Sequence, residues 1–327
     1  MSRTATSAPV QPSVKPINIL FVLGALLGSA GALFYFGAAN SATAQVAPAP
    51  IPYVKATELL RHASPGHLAL LSQVALVMDE RDGVMLYARA IDTPRPIASL
   101  TKLMTALVVL ESDLPLDAPI TITTDDRDRL KGTRSRLHIG AILTREDLLR
   151  AALGASENRA AAALARTAPG GTETFVAMMN AKALALGMTN THFADASGLN
   201  PRNVSTARDL LKLLEAARAQ PRMHAYTTSG ELWITDLATG RAIEFLNTNR
   251  LVRHSQDDWG IALSKTGYTA DAGNCLVMRV TVAGRPLSIV LLNSWGKASK
   301  YGDAQRIRDW LINAERRIPL VTATANI

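Results

Sequence analysis

The spacing of the hydrophobic positions changes along the chain, and each change predicts a different kind of element. Residues 74–78 are apolar without a break, the polar turn Glu80-Arg81-Asp82-Gly83 follows, and residues 84–87 form a second apolar run. This order predicts a β-hairpin. Helical spacing follows over about residues 99–111 and again between about residues 144 and 219. Two capping signals, each a Thr with an acid three residues later, mark helix starts: Thr144-Arg145-Glu146-Asp147 and Thr206-Ala207-Arg208-Asp209.

After residue 230 the pattern becomes that of strands. Residues 232–234 and 242–245 flank a turn at Thr239-Gly240, which predicts a second hairpin. Three more strands are predicted near residues 261–266, 275–282 and 287–293, and residues 301–314 form a final amphipathic helix. A hairpin, then helices, then strands and a last helix is an α+β order, in which the first hairpin can rejoin the late strands in one sheet.

The N-terminal segment differs from the rest because residues 16–54 carry no charge. Within it Ile17–Ala39 is an apolar run long enough to cross a bilayer, and Ala42-Thr43-Ala44 resembles a signal-peptidase site. A cleaved signal peptide and an uncleaved anchor over residues 17–39 both fit. We therefore predict a signal peptide or anchor over residues 1–44, an Ala- and Pro-rich linker over residues 45–52, and one catalytic domain over residues 53–327. The domain is expected in the periplasm or another extracytoplasmic space, with membrane contact only through the N-terminal segment.

Composition narrows the function classes. Hydrophobic residues make up 48% of the 327 residues, which excludes a disordered chain. The formal charge of +8 suits an anionic polymer or a membrane surface, but the basic residues are scattered and few aromatics lie among them, so no nucleic-acid partner is expected. The single Cys275 excludes an intrachain disulfide, and the six histidines form no ligand pattern. We expect neither a metal nor a cofactor.

Three short motifs carry the candidate chemistry. They are S-x-x-K at Ser99-Leu100-Thr101-Lys102, S-x-N at Ser156-Glu157-Asn158 and K-T-G at Lys265-Thr266-Gly267. A second S-x-x-K occurs at Ser294-Trp295-Gly296-Lys297, but it contains a glycine and follows a predicted strand. It therefore lacks the helix that would bring its Ser and Lys onto one face, and we do not expect it to be catalytic.

Each motif supplies residue types that nucleophilic catalysis needs. Ser99 at a helix start would be the nucleophile, and Lys102, one turn along, would be its general base. Lys102 can accept a proton only when neutral, which burial and a second ammonium group from Lys265 would promote. Ser156 can relay a proton to the leaving amine, and Asn158 can hold the peptide backbone.

The K-T-G strand is the candidate substrate-binding element. Lys265 can hold a substrate carboxylate, and the strand of Lys265, Thr266 and Gly267 can pair with an extended peptide, Gly267 keeping that edge open. The backbone amides of Ser99 and Tyr268 would form the oxyanion hole.

The motif set is known from penicillin-binding proteins and class A β-lactamases. The closest resemblance is to the low-molecular-weight penicillin-binding proteins, which are the serine D-alanyl-D-alanine carboxypeptidases and endopeptidases. It is strongest at residues 96–106, 156–162 and 265–269, and the similarity runs from about residue 75 to 310. Residues 130–133, residues 246–252 and the short stretch after Gly267 resemble the endopeptidase branch.

The resemblance implies a fold, a reaction and partners. The fold would be the penicillin-recognising, β-lactamase/transpeptidase-like fold, an antiparallel sheet flanked by helices with an added helical lobe. The reaction would be hydrolysis of D-alanyl cross-links between peptidoglycan stem peptides through a Ser99 acyl-enzyme. Peptidoglycan stem peptides would be the substrates, and β-lactams such as penicillin would inhibit.

Three alternatives remain beside this hypothesis. A D-alanyl-D-alanine carboxypeptidase would trim stem pentapeptides with the same residues. A class A β-lactamase needs a glutamate in an E-x-x-L-N segment, whereas Ala196 stands at that place before Leu199-Asn200. A non-catalytic β-lactam sensor would have no need of Lys102, Ser156 and Lys265 together.

Overall fold

A five-stranded antiparallel sheet lies at the centre of the computed structural model, which describes residues 53–64, 66, 68–254 and 259–318. The strand order is β2-β1-β11-β10-β9. The strands are β1 (Ser72–Asp79), β2 (Val84–Arg89), β9 (Leu263–Thr269), β10 (Gly273–Val282) and β11 (Arg285–Ser294). Because β1 pairs with β11, with Val77 opposite Ile289, the first hairpin joins the late strands as predicted.

The predicted leader over residues 1–44 and linker over residues 45–52 lie outside the described residues. The proposed domain limits therefore stay predictions. In the part of the chain that the structure describes, no helix has the length and apolar character needed to cross a membrane.

The two faces of the sheet bury different cores because successive side chains of a strand point to opposite sides. Val77 and Ile289 face helices α1 (Ala56–His62) and α9 (Ser299–Arg316). Their neighbours Leu76 and Val290 face the helical lobe. The lobe contains α2 (Lys102–Leu110), α3 (Arg145–Gly154), α4 (Asn158–Arg166), α5 (Gly171–Ala185), α6 (Ala207–Arg218) and α7 (Pro221–Thr228). The short helix α8 (Arg250–His254) packs instead with the first core, where Arg250 lies over the ring of Tyr301 in α9.

Three short strand pairs lie outside the central sheet. They are β3 (Arg95–Pro96) with β6 (Val204–Ser205), β4 (Pro119–Thr121) with β5 (Ile142–Thr144), and β7 (Glu231–Thr235) with β8 (Ala242–Leu246). The last of these is the predicted second hairpin. Both predicted capping signals are confirmed, since Thr144 and Thr206 each accept a hydrogen bond from the backbone N–H three residues later at 3.1 Å.

Two details of the predicted helices were wrong. Residues 186–203 contain no helix, although the pattern predicted helix from about residue 144 to 219. The break begins at Gly187, whose left-handed φ of 69° follows the end of α5. The Asp195 carboxylate then accepts hydrogen bonds from the backbone N–H groups of Ser197, Gly198 and Asn200 and so closes a tight loop. The first helix also starts later than predicted, because Ala98–Thr101 is a 3₁₀ turn that leads into α2.

Candidate active site

Ser99 lies in the 3₁₀ turn Ala98–Thr101. This turn leads directly into α2, which begins at Lys102. The preceding Ala98 has a φ of 47°, a left-handed conformation that costs an L-residue free energy. The Lys102 side chain is fully buried, and its Nζ lies 2.9 Å from Ser99 Oγ. The sequence prediction that this Ser and Lys share one face is therefore met in the structure.

Two glycines allow the chain to close around this turn. A Cβ on Gly198 would lie 1.9 Å from the Ala98 carbonyl oxygen. A Cβ on Gly267 would lie 3.2 Å from the Ser99 nitrogen, so strand β9 can approach the nucleophile only without a side chain there. From the sequence we expect Gly267 to keep the strand edge open; in the structure this glycine also permits β9 to pack closely against the backbone of Ser99.

Lys102 Nζ has three polar partners in the part of the chain that the structure describes. It lies 2.9 Å from Ser99 Oγ, 2.7 Å from Asn158 Oδ1 and 2.6 Å from the Ser197 carbonyl oxygen. Burial lowers the pKa of Lys102 to about 7, although the nearby carboxylates, Asp195 foremost, act in the opposite direction. A substantial fraction of this amine is therefore neutral near pH 7.

The identity of these partners decides what a neutral Lys102 can do. A neutral amine has two N–H donors and one lone pair. The Asn158 and Ser197 oxygens can only accept, so they take the two donors. The Ser99 hydroxyl is the one partner that can itself donate, and it therefore faces the lone pair. The neutral form of Lys102 is thus oriented to receive the proton of Ser99.

Ser156 and Lys265 form the second half of the site. Lys265 Nζ lies 2.9 Å from Ser156 Oγ and 3.0 Å from the Thr266 carbonyl oxygen. Ser156 has a φ of 60°, a second strained backbone conformation at the site. Lys265 is 1% exposed; burial, together with the nearby Lys102 ammonium, lowers its pKa well below the ordinary value.

Strand β9 presents the K-T-G segment at the edge of the sheet. Among the described residues it pairs with β10 on one side only, which leaves the backbone groups of its other side available for pairing with a peptide. Thr266 Oγ1 lies 2.6 Å from Thr248 Oγ1, and Tyr268 is 60% exposed. The structure therefore brings all eight predicted site residues to one cleft: Ser99, Lys102, Ser156, Asn158, Lys265, Thr266, Gly267 and Tyr268.

A loop of residues 128–133 completes the cleft opposite β9. Asn158 Nδ2 donates to Thr133 Oγ1 at 2.9 Å, which joins the loop to the site. Lys131 Nζ pairs with Asp271 Oδ2 at 2.5 Å, and Asp271 belongs to the turn between β9 and β10. This loop, which we call loop 128–133, therefore contacts both walls of the cleft.

Several of these groups were missed by the sequence analysis. The Ser197 carbonyl and Gly198 carry a visible signal, since Asp195-Ala196-Ser197-Gly198 is a typical turn sequence. Nothing local connects that turn with Lys102, which lies about a hundred residues earlier. Among the described residues, no three His, Cys, Asp or Glu side chains group closely enough to hold a metal ion.

Comparison with known proteins identifies the family. A sequence model of the D-alanyl-D-alanine carboxypeptidase family matches residues 61–296. Two relatives, both named D-alanyl-D-alanine endopeptidase, come from Pseudomonas aeruginosa (46% identity) and Escherichia coli (43%). Each alignment covers 242 residues, 74% of this chain and 77% of the relative.

A solved structure supports the fold independently. The Streptomyces K15 DD-transpeptidase superposes with a TM-score of 0.68 at 31% identity, covering 75% of this chain and 98% of that one. The predicted penicillin-recognising fold and the resemblance to the endopeptidase branch are both confirmed. With the cleft, the fold and the sequence in agreement, the chain belongs to the D-alanyl-D-alanine carboxypeptidase family of serine peptidases.

Proposed function

We propose that this protein is a D-alanyl-D-alanine endopeptidase that hydrolyses D-alanyl cross-links of peptidoglycan through a Ser99 acyl-enzyme. The observation that carries the chemistry is the arrangement at Lys102, whose buried amine is held by two acceptors and faces the Ser99 hydroxyl. The observation that favours cross-links is the name shared by relatives at 46% and 43% identity.

Acylation begins when neutral Lys102 takes the proton of Ser99 Oγ as this oxygen attacks the D-alanyl carbonyl carbon. The backbone amides of Ser99 and Tyr268 stabilise the oxyanion. The C–N bond then breaks, and the leaving amine receives the proton of Lys102 through the hydroxyl of Ser156. The Ser156 hydroxyl is suited to this relay because Lys265 holds it at 2.9 Å.

Hydrolysis of the acyl-enzyme uses Lys102 as the general base a second time. A water molecule attacks the ester carbonyl carbon and gives its proton to Lys102. Ser99 Oγ leaves as the tetrahedral intermediate collapses and regains a proton from Lys102, which restores both residues.

Substrate binding is assigned to the open edge of β9. An extended D-alanyl peptide pairs with the backbone of Thr266–Tyr268, and Asn158 supports it from the opposite wall. Lys265 takes a substrate carboxylate, whose negative charge favours the ammonium form of this amine and so opposes the burial that lowers its pKa. β-Lactams would acylate Ser99 in the same cleft.

The proposed substrate polymer lies outside the cytoplasmic membrane, so the protein acts in an extracytoplasmic space. Residues 1–44 would direct export, as a cleaved signal peptide or as an anchor over residues 17–39. The basic excess of the chain suits the anionic cell wall.

The test compares two muropeptide substrates with the purified protein lacking residues 1–44. We expect cross-linked dimers to be converted to monomers faster than pentapeptide monomers lose terminal D-alanine, and Ser99→Ala to do neither. Penicillin should abolish both reactions. Faster release of D-alanine from monomers would instead indicate a carboxypeptidase, and rapid turnover of penicillin itself would indicate a β-lactamase.

A further inference from the structure

We propose that Asp128 and Thr133 are positioning residues that fix the orientation of the Asn158 side-chain amide, and thereby reserve the lone pair of Lys102 for Ser99. This inference deepens the proposed function and rests on it. It concerns two residues of loop 128–133 that, among the described residues, form no hydrogen bond with Ser99 or Lys102.

The observation is an unbroken series of hydrogen bonds from the loop to the nucleophile. Thr133 Oγ1 donates to Asp128 Oδ2 at 2.7 Å, and Asn158 Nδ2 donates to Thr133 Oγ1 at 2.9 Å. Lys102 Nζ then donates to Asn158 Oδ1 at 2.7 Å and lies 2.9 Å from Ser99 Oγ. Four side-chain contacts therefore connect Asp128 with Ser99.

Asp128 determines which group donates and which accepts at each hydrogen bond of this series. Burial alone would raise the pKa of this carboxyl, but hydrogen bonds from the Lys131 and Thr133 amides and the Thr133 hydroxyl lower it overall. An ionised carboxylate can only accept, so the single proton of the Thr133 hydroxyl points to Asp128. Thr133 Oγ1 can then offer only a lone pair to Asn158.

A side-chain amide has one donor end and one acceptor end. With a lone pair facing it from Thr133, Asn158 directs its NH₂ group to Thr133 and its oxygen to Lys102. In the reversed orientation the NH₂ group would face Lys102 and would donate to the lone pair of the neutral amine. Ser99 would then have no base within reach, even though every residue of the three motifs were present.

Loop 128–133 is built to hold Asp128 in place. Asp128 Oδ1 accepts from the backbone N–H groups of Leu130 and Lys131 at 2.8 and 2.9 Å, and Oδ2 also accepts from Thr133 N at 2.8 Å. Lys131 ties the same loop to Asp271 on the opposite wall. The carboxylate therefore organises the loop and orients Thr133 at once.

The reversed amide has a predictable effect on the titration of Lys102. The charged groups that face Lys102 are Asp195 and Glu157 from the helical lobe, Asp128 from loop 128–133 and Lys265 from β9. An amide oxygen stabilises the ammonium form, whereas an amide NH₂ group destabilises it. Loss of the fixed orientation should therefore lower the pKa of Lys102 further, while entry of water should raise it towards the ordinary lysine value.

The test measures the rate constant of acylation by a fluorescent penicillin between pH 5 and 9. Thr133→Val removes the hydroxyl at almost constant volume. We expect the plateau rate constant to fall about tenfold or more, a part of the 10²- to 10⁴-fold contribution of a general base, and the acid limb of the profile to move to lower pH. Thr133→Ser, which restores the hydroxyl, should recover both values to near the wild-type level.

Two further variants keep the test decisive if Thr133→Val folds poorly. Asp128→Asn keeps the size of the side chain but has one oxygen, so it cannot accept all four bonds, and acylation should slow. The plateau rate constant is the readout in this variant, because loss of the Asp128 charge by itself lowers the pKa of Lys102 and moves the acid limb. Arg129→Ala is the matched control, because Arg129 is exposed on the same loop and takes no part in the series; it should behave like the wild type.

Two outcomes would overturn the proposal. One is a wild-type rate constant in both Thr133→Val and Asp128→Asn. The other is an acid limb that moves to higher pH in Thr133→Val, since this would show that the loop only excludes water. Labelling that persists in Ser99→Ala would instead refute the proposed function, so the two failures are distinguishable.

Discussion

The same S-x-x-K pattern occurs at two places in this molecule, with opposite surroundings. At Ser99–Lys102 a 3₁₀ turn leads into helix α2, the lysine is buried, and its Nζ lies 2.9 Å from the serine Oγ. At Ser294–Lys297 the serine ends strand β11, Gly296 has a φ of 83°, and the lysine is exposed in a turn.

The roles of the two serines differ accordingly. Ser294 is 2% exposed, and its Oγ lies 2.6 Å from Ser72 Oγ, which in turn donates to Asp303 Oδ2. Ser294 therefore belongs to a buried polar cluster that joins β11, β1 and α9. The comparison teaches that the pattern supplies only residue types, and that burial of the lysine and the helical turn between the two residues create the base.

The largest difference should appear in covalent labelling by penicillin. Ser99→Ala removes the nucleophile and should abolish labelling, while Ser294→Ala should be labelled to the same extent as the wild type. Mass spectrometry of the digested, labelled protein locates the modified peptide. Labelling retained in Ser99→Ala and lost in Ser294→Ala would reverse our choice between the two segments.

Replacement of the lysine by arginine in each S-x-x-K segment tests which of the two lysines is the general base. Arg keeps the charge but cannot become neutral near pH 7, so Lys102→Arg should slow acylation about 10²- to 10⁴-fold, the usual contribution of a general base. Lys297→Arg should leave the rate unchanged because the side chain is exposed and the lysine that contacts Ser99 Oγ is Lys102. The second-order rate constant of penicillin acylation measures both, and comparable rates in the two variants would contradict the role of Lys102.

The pH dependence of acylation should report Lys102 as well. Burial lowers its pKa to about 7, and the neutral form is the active one, so the rate should rise with pH through about 7 and then level off. Below the pKa the rate should fall about tenfold for each pH unit, as expected for loss of one proton. Lys297→Ala should keep the same profile, and a rate that stayed constant from pH 5 to 8 would exclude a titrating lysine as the base.

The sequence predicted those parts of the molecule whose causes are local. The hairpin turn, the caps at Thr144 and Thr206 and the late strands all depend on neighbouring residues, and the structure contains them. The features that distinguish the two S-x-x-K segments are also local, because Gly296 and the preceding predicted strand are visible in the sequence.

The rest of the site depends on contacts between distant segments. Ser197 supplies a carbonyl oxygen to Lys102, and a backbone carbonyl carries no sequence signal of its own. Thr133 reaches Asn158 only because a folded loop lies over α4. The orientation of the Asn158 amide is a property of this series of contacts, so the S-x-N motif alone could not reveal it.

The smallest expected effect is on stability. Here substitution of Ser294 should have the larger effect and substitution of Ser99 the smaller one, the opposite of their effects on penicillin labelling. Ser72 donates its proton to Asp303, so Ser294 must donate to Ser72. Ser294→Ala removes this buried hydrogen bond and should lower the free energy of unfolding by about 1 kcal/mol. Ser99→Ala should change it less, because Ser99 is only half-buried and Lys102 keeps its hydrogen bonds to Asn158 and Ser197. Urea denaturation of both variants tests this reversal, and a larger loss of stability in Ser99→Ala than in Ser294→Ala would show that the first segment is structural as well as catalytic.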